Sequence, residues 1–141
     1  MIERYTRGIM STSTHTFKTV GGDDLLLDLT LPENFNKETG VVVVHFHGGF
    51  LVTGEKTSYP PVWLSVACRH RGWAYITANY RLLPEASGLD LLEDAVDALH
   101  WASKNVTERV ISAGTSGGGY VALATAANPK SPPLLAVFAM H

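Results

Sequence analysis

Apolar positions along the chain change their spacing several times. Short runs rich in β-branched and apolar residues predict strands over 14–20, 25–31, 41–46, 73–80, 109–114 and 134–140. Between them, apolar residues three or four positions apart predict helices over 61–70, 89–104 and 117–127. The run VVVVHF at 41–46 is almost wholly apolar, which is typical of a parallel strand covered on both faces.

The order of these elements favours one fold class. A hairpin formed around GGDD joins the first two strands, and strands then alternate with helices from residue 41 onward. This alternation predicts an α/β domain over 14–141 with a mostly parallel sheet, preceded by a tail of residues 1–13. Ligands of such sheets bind beyond the carboxyl ends of the strands.

The predicted helices have apolar faces and charged faces. The first is expected to pack Val62, Trp63 and Val66 inward, and the other two tryptophans, Trp73 and Trp101, are likewise interpreted as packing residues. Cys68 is interpreted as a small buried hydrophobe. The apolar face of the second helix is predicted to be Leu92, Ala95, Val96, Leu99 and Ala102. Its carboxylates Asp90, Asp94 and Asp97 are expected to be dipole partners and surface charge.

Gly114-Thr115-Ser116-Gly117-Gly118 matches the pattern G-x-S-x-G between a predicted strand and a predicted helix. A reactive hydroxyl must stand clear of the sheet, so the chain turns sharply at Ser116, where larger side chains two residues away would collide with the turn. The N–H of Gly117 would then face a developing oxyanion. Ser116 is therefore the candidate nucleophile; a plain glycine-rich turn is the alternative.

A second glycine-rich corner, His47-Gly48-Gly49-Phe50, follows the strand 41–46. It is expected to open onto the same edge of the sheet and to turn two backbone N–H groups toward Ser116. With Gly117 these would form a three-donor oxyanion hole. His45 is expected to be a buried, hydrogen-bonded strand residue, and His47 to orient the loop.

Composition narrows the functional classes. The 141 residues carry 11 basic and 13 acidic side chains, a net charge of −2, so no basic surface suggests nucleic-acid binding. The single cysteine rules out an internal disulfide and any cysteine-rich zinc cluster. No apolar run has the length of a membrane span or the form of a signal peptide, and a cytoplasmic location is expected.

The segments HFHGGFLVTG, ANYRLLPEA, LEDAVDALHW and GTSGGG together resemble the α/β-hydrolase fold, and more narrowly its hormone-sensitive-lipase-like esterases and lipases. The resemblance covers about residues 20–141. It implies a three-layer fold, Ser116 as nucleophile of a carboxylic-ester hydrolase, and oxyanion donors at Gly49, Phe50 and Gly117, with Gly48 in the same substrate-binding loop. Tyr80, Arg81, Pro84 and Glu85 match a segment that braces the site. No metal or organic cofactor is implied.

The chain departs from the family pattern in three ways. Phe50 stands where the loop's third glycine is usual. Thr115 and Gly117 replace the Asp and Ala that usually flank the serine in the family's nucleophile elbow, here the turn of residues 114–118. The family's catalytic Asp and His follow the serine, beyond the strand 134–140. We therefore expect the front part of a longer hydrolase, without its last strands and inactive by itself; His141, at the end of the last strand, is the local alternative for the base.

Other interpretations stay open at this stage. An inactive binding or regulatory module could use the same fold. Alternatively, the same serine could cleave peptides, lactones or thioesters. The apolar strand 134–140 is also expected to lie at a sheet edge and to promote self-association.

Overall fold

The computed structural model describes residues 9–141 and contains six strands and three helices in that range. In chain order the elements are β1 (Met10–Val20), β2 (Asp23–Pro32), β3 (Val42–Phe46), α1 (Val62–Arg71), β4 (Ala74–Ala78), α2 (Gly88–Asn105), β5 (Val110–Thr115), α3 (Gly117–Ala127) and β6 (Leu134–Met140). Because β1 begins at Met10, residues 10–13 belong to the hairpin and not to the expected tail. Of the rest of that tail, residues 1–8 lie outside the described residues.

The strands form one sheet in the order β1-β2-β4-β3-β5-β6. β1 and β2 form an antiparallel hairpin whose two-residue turn, Gly21-Gly22, has φ values of 59° and 90°. β2 also runs antiparallel to β4, whereas β4, β3, β5 and β6 are mutually parallel. The α/β class and the order of hairpin and parallel strands are thus confirmed.

Helices cover both faces of this sheet, as a three-layer fold requires. Side chains of β3 alternate: Val42, Val44 and Phe46 pack toward α2 and α3, whereas Val43 faces α1 with Leu64 and Cys68. Burial of Cys68 as a hydrophobe is confirmed. None of the helices within residues 9–141 has the length and apolarity that crossing a bilayer requires.

The expected inward face of α1 is wrong. Val62, Trp63 and Val66 are 62%, 56% and 43% exposed, and the helix instead buries Leu64 and Cys68. Apolar residues lie on both sides of this short helix, so spacing alone could not select the face that contacts the sheet. The two remaining tryptophans, Trp73 and Trp101, do pack against the two cores.

α2 differs from expectation in a second way. Its buried face includes Leu91 in place of the half-buried Leu92, and it includes the carboxylate of Asp94, which is fully buried. The surface position predicted for Asp94 is therefore wrong. Asp90 lies where the sequence predicts a dipole partner, because it forms a capping box with Ser87 at the start of the helix.

The parallel side of the described sheet ends in β6, where Leu135 is 52% and Phe138 47% exposed. We expect residues 1–141 to self-associate through this edge in sedimentation velocity at high concentration, because unpaired apolar strands pair with other chains. Leu135→Lys should shift the protein toward monomer. Val52→Lys, at a loop residue of equal 52% exposure, should not. A monomeric unsubstituted chain would contradict the prediction.

Candidate active site

Ser116 lies on the tight turn between β5 and α3. Its backbone has φ 51° and ψ −121°, a region that non-glycine residues rarely adopt. Its N–H donates to the carbonyl oxygen of Met140 at 2.7 Å, which ties the turn to the end of β6. The side chain is exposed. A strained, exposed serine between strand and helix is the geometry that G-x-S-x-G predicts.

The glycines of the motif make this turn sterically feasible. A methyl group on Gly114 would overlap the carbonyl oxygen of Gly118, and one on Gly118 would overlap the carbonyl oxygen of Phe46. The same methyl on Gly118 would lie 2.6 Å from the carbonyl oxygen of His47. The elbow is thus pressed directly against the end of β3, where the second glycine-rich corner begins.

That corner, residues 47–54, is called the glycine loop below. It lies over Ser116, since a methyl group built on Gly48 would be 3.3 Å from Cβ of Ser116. β3 and β5 are neighbours with Phe46 opposite Gly114, so both corners leave the sheet at the same edge. The structure therefore brings the two predicted segments together.

Two backbone amide nitrogens of the glycine loop lie close to the elbow. A methyl group on Gly117 would lie 3.3 Å from the amide nitrogen of Phe50 and 3.2 Å from that of Leu51. Within the described part of the chain, neither amide donates to another backbone group. The amide of Gly117, as the first residue of α3, has no partner inside the helix. Two unpaired amide nitrogens of the glycine loop thus lie beside Gly117, the residue that follows Ser116.

Gly49, another predicted donor, begins a tight turn within the glycine loop. The carbonyl of Gly49 accepts hydrogen bonds from the amides of Val52 and Thr53, at 3.0 and 3.1 Å, so this residue closes a turn. Its φ of 125° and the overlap of any Cβ with the carbonyl oxygen of Thr53 require glycine there. The sequence did not single out Leu51, whose amide nitrogen lies next to that of Phe50 beside Gly117. Both Phe50 and Leu51 have positive φ, 56° and 66°.

His47 organises the glycine loop from beneath. Its Nδ1–H donates to the carbonyl oxygen of Gly48 at 2.7 Å, and its ring stacks on Tyr80 with centroids 4.4 Å apart. The hydroxyl of Tyr80 donates to the carbonyl oxygen of His47 at 2.6 Å. Burial lowers the pKa of His47, which favours the neutral ring. His47 is thus a positioning residue, as its place in the sequence suggested.

The segment 80–83 braces the loop from a second side. The N–H of Leu83 donates to the carbonyl oxygen of Leu51 at 2.8 Å. Arg81 forms a bidentate pair with the buried Asp94, Nε to Oδ2 at 2.8 Å and Nη2 to Oδ1 at 2.9 Å. Asp94 also binds Nζ of Lys18 at 2.9 Å. The fully buried carboxylate of Asp94 on α2 therefore holds segment 80–83, and that segment in turn holds the glycine loop.

The hydrogen bonds of two other histidines, His45 and His100, are made to residues other than Ser116. Nε2 of His45 lies 2.8 Å from Oγ1 of Thr115, and His100 donates from Nε2 to the carbonyl oxygen of Lys130 at 2.6 Å. His141 is exposed and follows Met140, whose carbonyl accepts the Ser116 N–H. The structure thus places His45 as expected, buried and hydrogen-bonded in its strand.

The buried His45 predicts a pH dependence of stability. Burial, and then the charge of His47, lower its pKa to about 4, whereas the unfolded side chain titrates near 6.5. The unfolded state therefore binds the proton first as the pH falls, and stability is lost from pH 6.5 downward toward 4. We expect the free energy of unfolding in urea to fall by about 2 kcal/mol between pH 7 and pH 5.

His45→Gln keeps a hydrogen-bonding group toward Thr115 but cannot titrate. It should reduce the pH slope of the unfolding free energy, although His47 contributes in the same direction. An equal slope in the variant and the unsubstituted chain would show that His45 is not the titrating group.

A mostly parallel sheet with helices on both faces, and a strained serine on a strand–helix turn beside a glycine-rich loop, define the α/β-hydrolase class. The family profile for the alpha/beta hydrolase fold matches residues 43–140, and the chain belongs to this hormone-sensitive-lipase-like family. The resemblance carried by the loop, the elbow and the segment between them is thereby confirmed.

Relatives and solved structures agree with this placement. The chain is 33% identical over 102 residues to a probable carboxylesterase M8 of a Phoma species, and 36% identical over 84 residues to human hormone-sensitive lipase. These alignments cover 60% and 55% of this chain but only 32% and 8% of those proteins. Esterase LipW from Mycobacterium marinum has the same fold, with a TM-score of 0.74 at 22% identity over 92% of this chain and 43% of LipW.

Proposed function

We propose that the chain carries the nucleophile and oxyanion-binding half of a serine hydrolase that cleaves carboxylic esters. The observation that supports this most directly is the strained Ser116, whose neighbour Gly117 lies beside the unpaired amide nitrogens of Phe50 and Leu51. Ser116 would attack the acyl carbonyl while a base takes its proton, and the amides would hold the negative oxygen. The bond to the alcohol would then break, and the alcohol would leave with that proton, giving an acyl-serine. Water would then release the acyl group from the serine.

The relatives support the ester class in particular, since the Phoma relative is named a carboxylesterase. The oxyanion site supports acyl transfer because backbone donors stabilise a tetrahedral oxygen more than a planar carbonyl. Each such donor contributes about 10²–10³ in rate. Peptide, lactone and thioester carbonyls would react by the same steps and are competitors in a substrate panel.

The reaction also needs a base that accepts the hydroxyl proton of Ser116. Burial lowers the pKa values of His45 and His47. Their ring nitrogens are hydrogen-bonded to Thr115 and to the carbonyl of Gly48, respectively, and not to Ser116. We propose that the catalytic His and Asp are supplied from outside residues 9–141. Serine hydrolases without their triad retain about 10³–10⁴ over water, against losses near 10⁶. Residues 1–141 alone should therefore turn over esters very slowly.

Chemical rescue tests both parts. Residues 1–141 would be incubated with p-nitrophenyl butyrate, with and without imidazole as an external base, and acylation located by mass spectrometry. We expect slow acylation of Ser116 that imidazole accelerates and that Ser116→Ala abolishes. Ser65→Ala, at a partly buried serine on α1, is the matched control and should change nothing.

Other outcomes separate the alternatives. No acylation of Ser116, even with imidazole, would favour an inactive binding module on the same fold. Rapid turnover without imidazole would contradict the missing base. Its loss in His141→Gln would then identify His141 as that base.

A further inference from the structure

The far end of the glycine loop is fixed to the sheet through Lys56, two residues beyond Gly54. The backbone N–H of Lys56 donates to Oδ1 of Asn79 at 2.7 Å, and Nζ of Lys56 donates to Oδ2 of Asp28 at 2.9 Å. Asn79 directly follows β4, and Asp28 lies in β2, which pairs with β4. Lys56 therefore connects the loop to two neighbouring strands, once through its backbone and once through its side chain.

The ion pair of Lys56 and Asp28 is largely removed from solvent. Their side chains are only 14% and 19% exposed, whereas Glu55 and Thr57 on either side of Lys56 are exposed. Thr14 on β1 donates to the other carboxylate oxygen of Asp28 at 2.7 Å. Burial alone would raise the pKa of Asp28, but the hydrogen bonds from Lys56 and Thr14 and the charge of Lys56 hold it below its usual value. The carboxylate is therefore ionised at neutral pH, with a partner on each oxygen.

The two ends of the glycine loop lie together and are held from the same part of the sheet. At the near end, the hydroxyl of Tyr80, two residues after β4, donates to the carbonyl oxygen of His47 at 2.6 Å. At the far end, a methyl group on Gly54 would lie 2.9 Å from Nδ1 of His47 and 3.0 Å from the carbonyl oxygen of Gly48. The shape of the loop between these ends thus depends on how firmly each end is held.

We propose that Lys56, through its ion pair with Asp28, is a positioning residue for the oxyanion-binding amides of the glycine loop, an inference that rests on the proposed function. The amides of Phe50 and Leu51 are not fixed by bonds of their own, because within residues 9–141 neither donates to a backbone group. Donors held in place before the reaction stabilise the developing oxyanion without rearranging during it. The β1–β2 hairpin, which supplies Asp28, thereby contributes to the reaction although it lies outside the parallel part of the sheet.

Lys56→Met removes the ammonium group and keeps an unbranched side chain. We expect the maximal rate of imidazole-assisted acylation of Ser116 by p-nitrophenyl butyrate to fall about tenfold, since a misplacement of about 1 Å costs about 10²-fold. The half-saturating ester concentration should stay the same, because the amides act mainly on the transition state. Lys56→Arg keeps the charge and should restore most of the rate. Lys37→Met, at an exposed lysine of the loop between β2 and β3, is the matched control and should react like the unsubstituted chain.

The partner residue gives a second test of the same pair. Asp28→Asn keeps the shape of its side chain and should lower the acylation rate about as much as Lys56→Met. The double variant should lose no more than either single variant, because the two residues act as one unit. Additive losses would mean that the ion pair does not hold the loop. If Lys56→Met does not fold, the comparison of Asp28→Asn with Lys37→Met decides the question in the same way.

A measurement without chemistry separates this inference from the proposed function. In ¹⁵N–¹H NMR spectra of residues 1–141, Lys56→Met should shift the amide signals of Phe50 and Leu51, and Lys56→Arg should leave them nearly unchanged. The amide signal of Gly72, at the other end of α1, should not move in either variant. Unshifted loop signals, or acylation of Lys56→Met at the rate of the unsubstituted chain, would overturn the positioning role even if Ser116 is acylated. Shifted loop signals in a chain whose serine is never acylated would overturn the ester chemistry, and with it the role of Lys56 in that reaction.

Discussion

Replacement of Asp94 by alanine is expected to lower the free energy of unfolding by about 3–5 kcal/mol, the cost of removing one partner from a buried ion pair. The carboxylate is fully buried and binds Arg81 through two side-chain bonds and one backbone bond, the last from the Arg81 N–H at 3.0 Å. It also binds Lys18, whose side chain is only 17% exposed. The substitution leaves both cations near a low-dielectric interior without their shared counterion. Urea unfolding followed by circular dichroism measures the loss.

The matched control is Glu93→Ala on the adjacent residue of α2. Glu93 also approaches Lys18 and Arg81, at 3.6 and 3.9 Å, but its side chain is 65% exposed. Exposed pairs of this kind contribute about 0–1 kcal/mol, so this variant should unfold almost like the unsubstituted chain. Equal losses in the two variants would contradict the buried role of Asp94.

Asp94 also links stability to the proposed chemistry. It holds Arg81, which directly follows the tyrosine that donates to the carbonyl of His47, and Leu83 of the same segment binds Leu51. Asp94→Asn preserves the shape of the side chain while removing its charge. Under conditions where this variant remains folded, we expect imidazole-assisted acylation of Ser116 to be slower than in the unsubstituted chain, because the glycine loop is less firmly held.

Much of the fold could be predicted because the hydrophobic period is strong in its central elements. The strand predicted over 41–46 is observed as Val42–Phe46, and the helix 117–127 is observed with the same bounds. The motif glycines also predicted that two corners would meet, since parallel strands bring their carboxyl ends to one edge. These features depend on local sequence and on a general rule of topology.

Other features depend on long-range contacts that spacing does not encode. Asp94 lies at the centre of the buried stripe of Leu91, Ala95 and Ala98, so its position on the helix was the available signal. The charge of Asp94 instead suggested a surface position, because its partner Arg81 lies outside the helix and spacing does not reveal it. The position of the Leu51 amide beside Gly117 could not be predicted, because the identity of a side chain does not show whether its backbone N–H has a partner.

Gly118→Ala is expected to destabilise the chain by about 3 kcal/mol, at the upper end of typical overpacking costs. The added methyl group would overlap the carbonyl oxygen of Phe46 and would lie 2.6 Å from both the Phe46 carbonyl carbon and the His47 carbonyl oxygen. All three are backbone atoms at the end of β3, so no side-chain rotation relieves the contact. Either α3 or the glycine loop must move.

Gly88→Ala is the control, since a methyl group there meets no atom within 4 Å and the residue begins α2. It should leave the unfolding free energy unchanged or slightly raised, because alanine favours helix. Gly118→Ala should also lower imidazole-assisted acylation of Ser116 relative to Gly88→Ala, because the displacement separates the elbow from the amides of Phe50 and Leu51. Unaltered stability in Gly118→Ala would mean that elbow and loop are not in contact, and the oxyanion site inferred from that contact would fail with it.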